Sequence, residues 1–272
     1  MKQKKLYISV ISHGHERLIV ELGALKRLNQ HKNITVICCD NSSNQVLADY
    51  CLHHGIDYVA SNIPRGFAYN NNRNFVRALE LGMQPSDHFL LYNPDVDISD
   101  DHLDALLVKC QEHDLNLATI DLRLDEDYRL SDDNLRRYPN FITFVKNYCL
   151  KDRSTVINKN NLQQIEQQTF WASGAFLLFK ARLYAELKGL DERFFLYCED
   201  VDVCRRALDI EYPIQYLGDI RAVHYRQCKS RRFLSREFFL HVKSVFQYGF
   251  SSSRNLQVKS QLSNVPFNKD WV

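Results

Sequence analysis

Three carboxylates within four positions, Glu199, Asp200 and Asp202, follow an aromatic run in FFLYCEDVDVCRRA (194–207). Like charges this close repel, and burying them is costly unless a cation, a proton or a substrate compensates. Val201, Cys204, Ala207 and Leu208 recur at helical spacing, so the segment reads as the start of a helix. On that helix Asp202 faces Arg205 and Arg206, and an ordinary ion pair explains it. Asp200 faces Val203 and Cys204 and has no basic partner on its own turn. The helix N-terminus favours its charged form by about 0.3–1 kcal/mol, whereas burial and neighbouring carboxylates push its pKa up by as much as several units. A carboxylate raised in this way suits a general base. The plain alternative is acidic enrichment in the first turn of an exposed helix.

Two further groups carry chemistry. Asn93-Pro94-Asp95 follows an apolar run on a turn stiffened by proline, which makes Asp95 a good single ligand for a hard cation, with Asp97 as a second. An Asx-turn is the competing reading. His224, in RAVHY, completes a metal shell or contacts a phosphate, or else is a satisfied semi-buried histidine. Asp40, in ICCDNSS, can accept from an imide N–H such as N3 of uracil or thymine, or can cap the next helix.

The elements that must position these groups alternate. Apolar runs at 6–11, 33–39, 56–61, 88–93 and 115–121 read as strands, separated by helical patterns that include 66–82. This spacing implies βαβ units, an α/β class and a mainly parallel sheet. In such sheets ligands bind beyond the carboxyl ends of the strands. The residues there are Ser12-His13, Asp40-Asn41, Asn62 and Asn93-Pro94-Asp95, one polar constellation on four successive strand ends. Residues 122–168 break the rhythm and read as an insert over the site. Alternation resumes with FWASGAFLLF (170–179) as a strand, a helix at 181–188, and strands at 213–218 and 221–225.

Composition sets bounds. A length of 272 residues suits one large domain or a domain with a subdomain. A net charge of +2 gives no reason to expect a nucleic-acid partner. Eight cysteines without a C-x-x-C pair read as reduced thiols in a cytoplasmic protein, not as a disulfide framework or a zinc site. No segment reaches 18 apolar residues, so a soluble or peripheral chain is expected. From Arg221 to Arg254 eight basic residues face a single acid, Glu237, and are interleaved with Phe233, Phe238, Phe239, Phe246, Tyr248 and Phe250. That pattern reads as a membrane-surface helix or as a packed helix with a solvated basic face.

Six segments together, ISHGHE (11–16), ICCDNSS (37–43), RGFAYNNN (65–72), LLYNPDV (90–96), WASGAFLLF (171–179) and GLDERFFLYCEDVDVCRRA (189–207), give the chain a resemblance to the family 2 inverting glycosyltransferases of GT-A fold, above all the bacterial O-antigen rhamnosyltransferases. The resemblance implies a glycosyltransferase domain over 1–225, with a nucleotide-binding half at 1–121, the insert at 122–168 and an acceptor and catalytic part at 169–225. Residues 226–272 form the basic aromatic extension.

It also implies roles. Ser12, Asp40 and Asn41 hold the nucleoside, Gly66 and Phe67 cover it, and Asn70 or Asn71 lies close by. Asn93 stands where the family's Asp-x-Asp motif has its first Asp, leaving Asp95 as the principal ligand of Mg²⁺ or Mn²⁺, with Asp97 and His224 in support. Trp171, Ser173, Gly174 and Ala175 line the donor-sugar and acceptor site. Asp200 is the base, with Glu199 and Asp202 supporting it. The expected reaction is inverting transfer of L-rhamnose from a dTDP-sugar to a polyprenyl-diphosphate-linked saccharide at the cytoplasmic face of the inner membrane. A UDP-hexose-dependent transferase and a non-catalytic nucleotide-sugar-binding partner are the alternatives.

Overall fold

The computed structural model describes residues 3–61, 63–139, 153–159, 165, 169–226, 243–245, 247–248 and 257–271. Asn62, the aromatic stretch beyond 139 and most of the basic aromatic segment, including 227–242, lie outside the described residues.

Strand β1 (Leu6–Ser12) is buried along all seven residues, the unbroken apolar pattern of a strand covered on both faces. Alternate side chains enter opposite cores, Leu6, Ile8 and Val10 on one face and Tyr7 on the other. The chain continues through α1 (Glu16–Leu22), α2 (Ala24–Asn29), β2 (Ile34–Asp40), α3 (Gln45–His53), β3 (Asp57–Ala60), α4 (Phe67–Glu80), β4 (His88–Tyr92), β5 (Val96–Asp97) and α5 (Asp100–Glu112). It ends with β6 (Leu117–Arg123), β7 (Leu135–Arg136), β8 (Trp171–Ala172), β9 (Phe176–Lys180), α6 (Ala181–Glu186), α7 (Glu199–Asp209) and β10 (Gln215–His224). The main sheet has the order β3-β2-β1-β4-β9-β6-β10-β5. Strands β9 and β5 run antiparallel to their neighbours and the remaining pairs are parallel. The α/β class and mainly parallel sheet expected from the alternation are present. Ile19, Leu25, Leu47 and Leu103 bring α1, α2, α3 and α5 onto one face; Phe75, Tyr184 and Val203 bring α4, α6 and α7 onto the other.

Four details correct the sequence reading. The apolar run 170–179 is two strands in different sheets, β8 with β7 and β9 in the main sheet, divided by a turn at Ser173-Gly174-Ala175. Segments 213–218 and 221–225 are one strand, β10, whose register against β6 slips between Leu217 and Arg221 as at a bulge. The single helix that Leu18, Leu22 and Leu25 indicate after the first strand breaks at Gly23, where a φ of 62° lets its N–H bond Ile19 O and cap α1. Leu122 and Arg123 belong to β6, so the insert starts later than 122.

Helix α4 buries four asparagines, Asn70, Asn71, Asn72 and Asn74. Buried amides are tolerated when they are hydrogen-bonded, and together these tie the helix to β1, β2 and its neighbour Asn41, and the segments around Leu190 and Ser260. Asn71 accepts from Ser9 Oγ at 2.7 Å. Asn74 donates to Ser9 Oγ and Ile37 O, and Asn70 to Asn41 Oδ1. Asn72 donates to Leu190 O and Ser260 Oγ and accepts from Tyr184 Oη and Leu190 N. A C-terminal segment thereby docks on α4, with Trp271 edge-on to Phe75. Val245 and Tyr248 also pack into the body, against Phe194, Cys198 and Val201.

Gly189 sits beside this hub at a φ of 66°, and a Cβ there would lie 2.2 Å from Asn72 Oδ1 and 2.9 Å from Tyr184 Cε1. Gly189→Ala is therefore expected to lose about 1–3 kcal/mol to overpacking and about 1–2 kcal/mol more to left-handed backbone, read as a lower urea midpoint at unchanged slope.

Candidate active site

The topology delivers the candidate residues to one sheet edge. Strands β1, β2, β4 and β10 are directed so that Ser12, Asp40, Asn93 and His224 emerge there, and antiparallel β9 begins there after the Ser173-Ala175 turn. That turn joins the two halves of the site. Gly174 N–H donates to Asp200 Oδ2 at 3.2 Å, and Ala175 O accepts from Asn93 N at 3.0 Å. Gly174 also leaves room for Phe67: a Cβ at 174 would stand 3.2 Å from the Phe67 ring and 3.8 Å from Asp200 Cβ.

Asp200 reaches this turn through unusual backbone. Tyr197 and Cys198 both have left-handed φ, 72° and 70°, a conformation costly for residues other than glycine. The packing of Val245 and Tyr248 and a hydrogen bond from Ser244 Oγ to Leu196 O hold it. Helix α7 then starts at Glu199 with Asp200 half-buried at the rim. Burial raises the Asp200 pKa, and N–H groups of Gly174 and Val201 oppose that shift while orienting the carboxylate. Glu199 is buried, and burial first and Asp200 second push its pKa well up. Asp202, expected to support the base and contact substrate, pairs instead with Arg206 at 2.8 Å, and Arg206 also donates to Leu187 O and Gly189 O. The pairing one turn apart read in the sequence is what forms, although Asp202 is buried.

On the other side of the turn, His224 Nε2 lies 3.3 Å from Asp95 Oδ1 and Nδ1–H donates to Asp132 Oδ2 at 2.6 Å. Burial lowers the His224 pKa, but Asp132 and Asp95 outweigh it and push it up to about 9. Among the described residues no three His, Cys, Asp or Glu side chains gather to hold a metal alone. A carboxylate and an imidazole side by side fit Mg²⁺ or Mn²⁺ that takes its remaining ligands from phosphate and water. Asp97 is not part of that set. It is ion-paired with Arg27, which also bonds Asp100 at 2.9 Å.

The nucleoside side is more constrained than expected. Asp40 is fully buried and accepts from Ser42 N, Ser42 Oγ, Asn44 N and Tyr58 Oη, at 2.9, 2.8, 2.6 and 3.0 Å. Four bonds saturate a carboxylate, so Asp40 shapes the turn after β2 in place of accepting from a base. Ser12 is buried beside it, with Oγ 3.4 Å from His15 N. Asn41 donates to Arg65 O and accepts from Arg65 N and Asn70, a latch on the loop before α4. Asn70 and Asn71 are internal fasteners, Asn70 donating to Asn41 Oδ1 and Arg65 O and Asn71 to Phe67 O. Gly66 and Phe67 do reach the site: Phe67 N–H donates to Phe195 O at 2.9 Å. Trp171 Nε1 donates to Arg137 O, and its ring packs with the Phe194 cluster. Ser173 N–H donates to Asn134 O.

Sequence reasoning missed Asp132, Arg136 and Arg226. Asp132 pairs with both His224 and Arg226. Arg136 pairs with Asp133 at 3.8 Å; burial lowers its pKa, and the charges of Asp133, Asp132 and Asp200 oppose that while Arg226 adds to it. Asp132 and Arg136 lie in the irregular, charged segment 122–168 and Arg226 in the basic stretch that starts at Arg221, and nothing further in the sequence marks them.

No protein-family model matches the chain. It is 30% identical to the rhamnosyltransferase WbbL of Escherichia coli strain K12 over 267 residues, 97% of each chain. It is 25% identical to the N-acetylglucosaminyl-diphospho-decaprenol L-rhamnosyltransferase of Mycobacterium tuberculosis strain H37Rv over 244 residues, 85% of this chain and 78% of that one. Among solved structures it resembles the mannosyltransferase PcManGT of Pyrobaculum calidifontis in complex with GDP-Man and Mn²⁺, with a TM-score of 0.60 and 12% identity over 95% of this chain and 67% of that one. The fold is that of GT-A glycosyltransferases. The chain belongs to the family 2 glycosyltransferases, as the match over its whole length shows.

Proposed function

We propose that the chain is an inverting, metal-dependent rhamnosyltransferase that moves L-rhamnose from dTDP-L-rhamnose to a polyprenyl-diphosphate-linked saccharide in surface-polysaccharide synthesis. The observation that carries the mechanism is the half-buried Asp200 carboxylate, held by Gly174 N–H at the turn that also seats Asn93. The transferred sugar and the acceptor class are supported by the two relatives, both rhamnosyltransferases and one named for an N-acetylglucosaminyl-diphospho-decaprenol acceptor.

Asp200 takes the proton of the acceptor hydroxyl as that oxygen bonds the anomeric carbon and the bond from that carbon to the diphosphate breaks. Attack from the face opposite the diphosphate inverts the configuration. Asp95 and His224 would hold the divalent ion, which offsets the charge of the departing diphosphate. Phe67 closes over Gly174 beside the base and limits water at the reacting carbon. Among the described residues no helix is long and apolar enough to cross a membrane. A lipid-linked acceptor is reached from the cytoplasmic face of the membrane, through the basic aromatic stretch read in the sequence.

The test is transfer by the full chain to N-acetylglucosaminyl-diphospho-polyprenol from dTDP-L-rhamnose, UDP-galactose, UDP-N-acetylglucosamine and GDP-mannose, with and without Mn²⁺. Rhamnose transfer with an inverted anomeric centre is expected. Preference for a UDP-sugar overturns the donor, and a product that keeps the donor's configuration overturns the mechanism.

A further inference from the structure

We infer that Asp132 is a positioning residue for metal-assisted donor binding: it fixes the ring of His224 so that Nε2 is presented to the cation position at Asp95. This rests on the proposed metal role of Asp95 and His224, and it gives the segment after β6 a function in the reaction.

Asp132 lies 92 positions before His224 in sequence, yet its fully buried carboxylate accepts from His224 Nδ1 at 2.6 Å. The backbone that carries it is itself held. Asp132 N donates to Leu122 O and Leu124 N to Leu130 O, which folds residues 123–132 back on β6. Arg226, just beyond β10, bonds the same carboxylate from the other side, with Nε at 3.2 Å and a shorter contact through Nη2. Asp132 is thereby clamped between the last residue of β10 and the segment that follows.

An imidazole turns about its Cβ–Cγ bond unless one nitrogen is held, and a carboxylate on Nδ1–H both fixes the ring plane and leaves Nε2 as the ligating atom. Nε2 points at Asp95 Oδ1, 3.3 Å away. The line Asp132, His224, Asp95 therefore has the form of a carboxylate–histidine–metal relay, assembled from three separate parts of the chain. A buried ion pair serving stability alone would need only Arg226 on Asp132.

The experiment uses the full chain with Mn²⁺ and dTDP. Electron spin-echo envelope modulation on the Mn²⁺–dTDP complex reads nitrogen coupled to the metal, and calorimetry reads Mn²⁺ affinity. Wild type is expected to show ¹⁴N modulation. His224→Gln abolishes it, and Asp132→Asn weakens it and lowers Mn²⁺ affinity about 10–100-fold. Arg226→Gln, which removes only the other partner of Asp132, keeps the modulation. Should Asp132→Asn fail to fold, ¹⁵N NMR of His224 in wild type with Mg²⁺ and dTDP reads the tautomer, with the proton on Nδ1 expected. Unchanged modulation and affinity in Asp132→Asn, or a proton on Nε2 in the Mg²⁺ complex, overturns the inference. Tight Mn²⁺ binding in wild type without nitrogen modulation overturns it while sparing metal dependence. No Mn²⁺ binding in wild type overturns the metal role in the proposed function and this inference with it.

Discussion

Asp200→Asn is expected to lower kcat about 10²–10⁴-fold, the usual contribution of a positioned general base, while nucleotide affinity is retained. Asparagine keeps the shape and can still accept the Gly174 N–H through its amide oxygen, so the turn and the Phe67 contact beside it survive. What is lost is the capacity to take a proton. Steady-state rates with dTDP-L-rhamnose and calorimetric titration of dTDP separate the two effects. A kcat within tenfold of wild type would remove Asp200 from the reaction. The pH profile supplies an independent reading. A base works ionised, so kcat/KM falls as pH drops through its pKa. Burial raises that pKa, with the N–H groups of Gly174 and Val201 in opposition, so the acid limb is expected above the ordinary carboxylate value of about 3.9. In Asp200→Asn that limb disappears.

Gly66→Ala is the second large effect, and its cause is steric alone. Gly66 has an ordinary φ of −68°, which alanine adopts without strain. A Cβ there would nevertheless lie 2.4 Å from Phe195 O and 2.7 Å from Phe195 Cα. Both are backbone atoms that cannot rotate away. One of the two segments must move, and the hydrogen bond from Phe67 N to Phe195 O joins them at that point. On one side moves Phe67, and on the other the left-handed turn at Tyr197 and Cys198 that aims Asp200. Overpacking of this kind costs about 1–3 kcal/mol, and a displacement of about 1 Å can cost about 10²-fold in rate. Lower thermal stability together with a loss of this order in kcat/KM is expected. A wild-type rate in a destabilised variant would show that the two segments are not coupled through Gly66.

The difference between Asp40 and Asp200 shows how far residue type and spacing reach. Both are acids at the edge of an apolar element, and both admit a local reading. For Asp40 the local reading prevails: Ser42, Asn44 and Tyr58 use every lone pair. For Asp200 it fails, because no cation lies on its own turn, and its partner is a backbone N–H 26 positions earlier. Asp97 and Asp202 divide likewise. Asp97 was a candidate ligand and Asp202 a candidate support for the base, and each is held by an arginine, Asp97 by Arg27 from 70 positions away and Asp202 by Arg206 one turn on. Only the second pair was visible, since helical periodicity links neighbours and says nothing of remote ones.

The sequence by itself determined the alternation of strands and helices, the α/β class, the gathering of polar residues at strand ends and the isolation of Asp200. These follow from periods of 2 and 3.6 and from the rule that carboxyl ends of parallel strands meet at one edge. The six described cysteines are free and buried, as their scattered placement indicated. Only the tertiary structure decided that FWASGAFLLF is broken at Gly174, that the asparagines of α4 are fasteners, and that Asp132 stands behind His224. Each of these depends on a hydrogen bond between residues far apart in the chain. A buried polar group must find such a partner, but which partner it finds is settled by packing, which no local pattern encodes.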